Sequence, residues 1–83
     1  MPKSSETPEY QRLCDLLSQL RKEAGVTQAQ LAKRLGVPQS HVSKYEHGIR
    51  RLDMIEVRQV IDALDVKPGA FLARLDPSWL ETE

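Results

Sequence analysis

The sequence is poor in cysteine and aromatic residues, and it contains no long apolar run. Because Cys14 is the only cysteine among 83 residues, an intramolecular disulfide is excluded. No stretch approaches the ~18 apolar residues of a membrane-spanning helix, so we expect no membrane segment. The N-terminus has no apolar run behind its basic residue, so we also expect no secretory signal peptide. These absences favour a small protein of a reducing compartment, with the cytoplasm as the simplest location.

The chain also lacks net charge, since it has 12 basic and 12 acidic residues, and this alone argues against a nucleic-acid partner. The charges are unevenly distributed, however. Residues 27–51 contain five basic residues and one acidic residue, a balance of +4, whereas residues 52–83 contain three basic and seven acidic residues, a balance of −4. The basic middle favours a face that meets an anion. From charge alone, an ordinary solvated surface explains the pattern equally well.

No stretch alternates apolar and polar residues as a surface strand does, and the apolar residues recur at helical spacing instead. This pattern, with capping signals and helix-ending glycines, predicts an all-α fold, a compact bundle of five short helices. The expected helices span about 8–24, 27–35, 38–46, 53–65 and 68–75. We expect residues 1–7 to be a flexible N-terminus, residues 8–76 to form the domain, and residues 77–83 to be a tail.

Residues 27–48, TQAQLAKRLGVPQSHVSKYEHG, indicate two short helices joined by a tight turn at Gly36. At 100° per residue, one face of the second of these helices is polar over an arc of about 140°. That face carries Gln39, Ser40, Ser43, Lys44 and His47. Val42 and Tyr45 lie opposite and must pack inward. Glutamine can bond adenine twice and lysine can reach guanine, so the face favours DNA readout over a merely solvated surface.

The stretch from about residue 17 to residue 75 resembles the phage-repressor and Cro type of helix-turn-helix domain, also called the Xre family. The resemblance rests on an arginine in the first helix, Thr-Gln-x-x-Leu-Ala, the turn glycine, Ser-x-Val-Ser-Lys and Glu-x-Gly, all present in LRKEAGVTQAQLAKRLGVPQSHVSKYEHG. It covers about 70% of the chain. The tail that contains Trp79 departs from the family pattern.

The resemblance implies a role for each matching position. The third helix would lie in the major groove of DNA. The residues facing base edges would be Gln39, Ser40, Ser43 and Lys44. The residues contacting phosphates, which position the protein without reading sequence, would be Gln28, His47, Arg50 and Arg51. Arg21 and Glu46 match positions that form an internal ion pair in this family.

Nothing in the sequence supports catalysis or a bound cofactor. His41 and His47 are six positions apart and have no cysteine or acidic residue at ligand spacing, so we expect no metal site. Cys14 has no nearby histidine in sequence, and we interpret it as a small buried group rather than a nucleophile. We therefore expect a protein that is not an enzyme, without cofactor, metal or small-molecule ligand.

One recognition helix covers too few base pairs to find a single site in a genome. A homodimer would read two half-sites of a near-palindromic operator, ~34 Å apart. The self-complementary patch is expected in the acidic C-terminal third. Its apolar candidates are Ile55, Phe71, Leu75, Trp79 and Leu80. The alternative is that these residues complete the core, although Trp79 and Leu80 lie outside the helical periodicity and favour an interface.

The sequence thus predicts a bacterial, sequence-specific transcriptional regulator that binds double-stranded DNA, located at the nucleoid when bound. We expect a repressor that regulates its own gene. An activator, a mobile-element switch, a restriction-modification controller and a chromosomal regulator are also compatible with the residues. The alternative from another class is a protein-interaction module of the same fold, such as an antitoxin or co-regulator, with which the zero net charge and the acidic, aromatic tail are compatible.

Overall fold

Five α-helices form the molecule in a computed structural model, which describes residues 7–80 and omits the side chains of residues 79 and 80. The helices are α1 (Pro8–Glu23), α2 (Gln28–Leu35), α3 (Gln39–Glu46), α4 (Met54–Ala63) and α5 (Pro68–Leu75). The all-α prediction is confirmed, with ends that shift by one or two residues. A short 3-10 helix, Pro77–Leu80, follows α5, where the sequence predicts only a tail.

The helices begin where the local capping chemistry places them. The Thr7 hydroxyl accepts a hydrogen bond from the Tyr10 N–H at 3.2 Å. Both predicted capping boxes, Thr27 with Gln30 and Asp53 with Glu56, are complete. Gly36 has φ +71°, which lets the chain reverse sharply between α2 and α3 without steric strain. These local signals set where α1, α2 and α4 begin and where the chain turns from α2 to α3.

The core lies between α1 and the other helices. Leu17, Leu31, Val42 and Tyr45 are completely buried, and Val42 and Tyr45 therefore pack inward as predicted. Helix α3 packs on α2 and α1, α4 packs on α2, and α5 packs on α1 and α4. Because one side of α3 is held by core contacts, its polar side must face away from the protein.

Phe71, one of the residues expected at an interface between two copies, completes the core of the single chain. Its side chain is 5% exposed and belongs to the hydrophobic core cluster. Helix α5 presents apolar side chains over most of its circumference, so periodicity alone does not distinguish its inner face.

Cys14 is 1% exposed, and burial raises the pKa of its thiol, which makes it a poor nucleophile.

None of the five helices combines the length and the hydropathy needed to cross a membrane, within residues 7–80.

Candidate nucleic-acid interface

The outward face of α3 is a continuous polar surface. Gln39, Ser40, Lys44 and His47 are exposed, and Ser43 is half-buried beside them. Lys44 forms no ion pair with any residue of the described range 7–80. Its ammonium group is therefore available to an external acceptor. The face has the donor and acceptor groups, and the single positive charge, that suit the edges of bases.

His47 ends α3 with its ring held in one orientation. Its Nδ1 lies 2.7 Å from the carbonyl oxygen of Ser43. A carbonyl oxygen only accepts hydrogen bonds, so this contact assigns the proton of the neutral ring to Nδ1. The Nε2 atom is left for a partner outside the protein, at the edge of the α3 face.

A buried ion pair joins the end of α1 to the end of α3. The Arg21 guanidinium donates to Glu46 at 2.7 Å from Nε and at 3.1 Å from Nη2, and its Nη1 donates to the Val26 carbonyl oxygen at 2.8 Å. Arg21 is 8% and Glu46 is 9% exposed. Burial alone would raise the pKa of Glu46, but hydrogen bonds from Arg21 and Gln28 outweigh it and hold that pKa below the usual range. The pair fixes the orientation of α3 against the bundle.

Gln28 is tied to the same ion pair, which the sequence did not indicate. Its amide Nε2 donates to Glu46 Oε1 at 3.0 Å, and its side chain is half-buried at the start of α2. One amide N–H is thus committed to the protein. The second N–H remains as a donor for an anion, together with the backbone amides of the helix start that precede the one capped by Thr27.

The loop that follows α3, residues 48–53, carries two exposed arginines, and we call it the arginine loop. The Arg50 guanidinium forms an ion pair with Glu56 at 2.8 Å. The Arg51 guanidinium lies 5.2 Å from the centre of the Tyr10 ring, in a cation–π contact. The backbone N–H of Asp53 and the Arg50 guanidinium together lower the pKa of Glu56, so this carboxylate stays charged beside Arg50.

Tyr10 also contacts the backbone of the arginine loop. Its hydroxyl donates to the carbonyl oxygen of Arg50 at 3.0 Å and accepts from the N–H of Leu52 at 2.8 Å. Because 40 and 42 residues separate the partners, no local pattern indicates this contact.

An apolar groove adjoins the arginine loop, between α1, α4 and α5. Its apolar lining includes Leu13, Met54, Val57, Leu72 and Leu75, and Arg51, Leu52 and Asp53 of the loop border it. Met54, which the sequence did not single out, is 81% exposed, and Ile55 beside it is 63% exposed. The side chains of Trp79 and Leu80, also expected at an interface, lie outside what the structure describes. The groove and Ile55 place exposed apolar groups in the acidic third of the chain.

No three His, Cys, Asp or Glu side chains within residues 7–80 are arranged to hold a metal ion.

Comparison with protein families and known proteins gives consistent matches. A family model described as helix-turn-helix, HTH_3, matches residues 17–71, from the middle of α1 into α5. The HTH-type transcriptional regulator y4aM of Sinorhizobium fredii is 36% identical over 55 residues, which make up 66% of this chain and 38% of that protein. The chain therefore spans less than half the length of this relative.

Two solved structures show the same fold. An XRE-family like protein from Pseudomonas syringae pv. tomato is 47% identical, with a TM-score of 0.78 over 84% of this chain and 85% of that one. The restriction-modification controller protein C.Esp1396I is 23% identical, with a TM-score of 0.82 over 90% of this chain and 99% of that one. C.Esp1396I has also been solved as a tetramer in complex with its natural 35-base-pair operator. At this identity, the likeness to the controller protein concerns the fold alone.

Proposed function

The chain belongs to the Xre-type helix-turn-helix family of transcriptional regulators, and on that premise we propose that it binds double-stranded operator DNA as a homodimer. The observation that carries the proposal is the polar face of α3. That face is exposed, and it contains a lysine without an internal partner in the described range, on a helix whose opposite side is completely buried. Membership in a family of regulators is also consistent with a sequence in which we find no set of catalytic residues.

In the proposed complex, α3 enters the major groove, whose width of about 12 Å admits an α-helix. Side chains at the start and middle of α3 face base edges. These are Gln39, Ser40, Ser43 and Lys44. Groups on either side of the helix contact phosphates and set its register. These are Gln28, His47, Arg50 and Arg51.

The buried pair between Arg21 and Glu46 supports this arrangement, because it fixes α3 before DNA is bound. The pair connects two helices at distances of 2.7 and 3.1 Å and is almost fully buried. Less conformational entropy is then lost on binding, which favours affinity. Gln28 belongs to the same hydrogen-bond network. The residue that we propose contacts a phosphate is therefore linked through Glu46 to the orientation of α3.

We propose that a second copy of the chain covers the apolar groove. Exposed Met54 and Ile55 and the groove residue Leu75 lie on the acidic third of the chain, which a DNA backbone would repel. A two-fold pair would present two α3 helices to half-sites ~34 Å apart. That C.Esp1396I binds its operator as an assembly of several copies supports this proposal.

We further propose that the protein works in the bacterial cytoplasm as a repressor of its own gene. Occupancy of an operator that overlaps a promoter excludes RNA polymerase sterically and needs no residue beyond the DNA-binding surface. A promoter–reporter fusion in cells tests this: expression should fall as the protein is supplied, and rise when α3 is altered.

DNA selected in vitro by the full chain is expected to contain two inverted half-sites, with tight binding that weakens steeply as salt rises. Lysine and arginine contacts release counterions, so affinity should fall by roughly 100-fold or more between 50 and 200 mM salt. Fluorescence anisotropy over a salt series measures this. If no sequence is enriched, or if the affinity is independent of salt, the proposed function is wrong.

Met54→Glu is expected to shift the protein from dimer to monomer, because it places a charge on the apolar groove. Sedimentation velocity measures the change directly, and operator binding should weaken in parallel. Ile49→Glu is the matched control, since Ile49 is 73% exposed but does not line the groove, and this variant should remain a dimer. If Met54→Glu stays a dimer, the interface lies elsewhere.

A further inference from the structure

We propose that Tyr10 is a positioning residue for DNA binding: its hydroxyl holds the arginine loop in the orientation from which Arg50 and Arg51 reach phosphates. The inference rests on the proposed function and adds a residue of α1 to it. Tyr10 itself is 7% exposed, and we assign it no contact with DNA.

The two hydrogen bonds of the hydroxyl bracket one residue of the loop. The Tyr10 O–H donates to the carbonyl oxygen of Arg50 at 3.0 Å, and its oxygen accepts from the N–H of Leu52 at 2.8 Å. Arg51 lies between these two bonded groups. Because both peptide groups that flank Arg51 are held, rotation of the backbone at this residue is restricted. The direction in which its side chain leaves the backbone is restricted as well.

The ring of Tyr10 holds the side chain of Arg51 as well as its backbone. The Arg51 guanidinium lies 5.2 Å from the ring centre. A cation over a tyrosine face gains a modest stabilisation when exposed, which is small enough for a phosphate to compete for the same group. The ring therefore holds the Arg51 guanidinium at the protein surface without burying its charge.

Several other backbone N–H groups of the loop are anchored to neighbouring elements. The N–H groups of Ile49 and Arg50 donate to the carbonyl oxygen of Lys44, at 2.8 and 3.2 Å, and the N–H of Asp53 donates to Glu56 at 3.0 Å. These bonds fasten the loop to the end of α3 and to the start of α4. The bonds to Tyr10 fasten to α1 the segment that lies between these two attachments and that contains Arg50 and Arg51.

The hydroxyl keeps the proton that this arrangement needs. Burial raises the pKa of Tyr10 above its ordinary value of 10.0, although the hydrogen bond from Leu52 acts in the other direction. The neutral phenol donates to one backbone group and accepts from another, which a phenolate cannot do. Phenylalanine at this position would preserve the packing and the cation–π contact, and would remove the hydroxyl together with its two hydrogen bonds to the loop.

The test compares Tyr10→Phe with Tyr45→Phe, which makes the same chemical change at a buried core position. The Tyr45 hydroxyl has no hydrogen-bond partner within residues 7–80, so its removal breaks no anchor. On the operator, Tyr10→Phe should bind about tenfold more weakly. The slope of log affinity against log salt should become shallower by about 0.9 for each phosphate that the arginines no longer neutralise. Tyr45→Phe should keep the wild-type affinity and slope.

Two further measurements separate positioning from a general loss of structure. In the unbound protein, the Leu52 amide should exchange with solvent about tenfold faster in Tyr10→Phe, because it loses its acceptor. In an Arg50→Ala/Arg51→Ala background, Tyr10→Phe should cause no further loss of affinity, because its effect acts through those arginines.

Wild-type affinity and slope in Tyr10→Phe would overturn the inference while leaving the proposed function standing. An equal additional loss in the background without the two arginines would do the same, since Tyr10 would then act elsewhere. A wild-type chain that binds no DNA at any salt concentration would overturn the proposed function, and this inference with it.

Discussion

Glu46→Ala is expected to lower the free energy of unfolding by about 3–5 kcal/mol, the loss typical of breaking a buried ion pair from one side. The substitution leaves the Arg21 guanidinium buried at 8% exposure without its counter-charge, and it removes the acceptor of the Gln28 amide. Domains of this kind are stable by about 5–15 kcal/mol in total, so the loss is a large fraction. Urea unfolding followed by far-UV circular dichroism measures it.

The control for this variant is Glu23→Ala, which breaks an ion pair on the surface. Arg74 donates to Glu23 at 2.7 and 2.8 Å, a geometry as good as that of the buried pair. Both partners stay solvated, so the loss should be far smaller. Equal losses in the two variants would mean that burial of the Arg21–Glu46 pair is not what makes it matter.

A third variant separates the cost of an orphaned charge from the value of the pair. Replacing both partners, in Arg21→Met/Glu46→Leu, leaves no uncompensated charge and should recover much of the stability lost in Glu46→Ala. The double variant would remain folded but would lack the bonds that fix α3. Its operator affinity should therefore stay below that of the wild type, although its stability returns.

The same residue makes stability depend on pH. Hydrogen bonds from Arg21 and Gln28 lower the pKa of Glu46 in the folded protein against the opposing effect of burial. Its contribution is therefore complete above the ordinary glutamate pKa of 4.5 and is lost as pH falls through the lower folded-state pKa. The difference in unfolding free energy between wild type and Glu46→Ala should shrink across that acidic range. A difference independent of pH would contradict the charge-based explanation.

Lys44→Ala is expected to weaken operator binding by about 1–3 kcal/mol per half-site and to relax the base preference at one position of each half-site. The reason is that Lys44 is an exposed cation on the polar face of α3 and has no ion-pair partner within the described range. Gln39→Ala should relax the preference at a different position. Selection of DNA with each variant, followed by anisotropy on matched single-base changes, measures both effects.

Two comparison variants make this assignment sharper. Lys67→Ala removes an equal charge from the exposed residue that precedes α5, and should change neither affinity nor preference. Gln28→Ala should weaken binding to all sequences alike, since its proposed contact is with a phosphate. Its stability must be measured in parallel, because it also removes a hydrogen bond to Glu46. A variant series in which Gln28→Ala changes the base preference and Lys44→Ala does not would reverse the proposed roles.

Much of the fold follows from short-range signals. Threonine, aspartate and glutamate at capping positions begin α2 and α4, and Gly36 reverses the chain between α2 and α3. Each signal acts within four residues, so it is readable without knowledge of the rest of the molecule. The inward side of α3 was equally readable, because Val42 and Tyr45 are the large apolar groups on an otherwise polar helix.

The apolar residues of α4 and α5 were less readable. Phe71 lies in the core, whereas Met54 is 81% exposed. Both side chains are apolar, so hydropathy alone does not predict which of the two is buried. Periodicity identifies a helix and its apolar side, but the burial of each side chain depends on the angle at which neighbouring helices cross. That angle is a property of the packed bundle.

By itself, the sequence determined the helices, the turn at Gly36 and the polar face of α3, because capping and amphipathic periodicity are local. Only the tertiary structure decided which distant groups support that face. It connected Gln28 to Glu46 across 18 positions and Tyr10 to Leu52 across 42. The physical reason is that a hydrogen bond depends on distance in space, and folding brings together partners that no spacing along the chain relates.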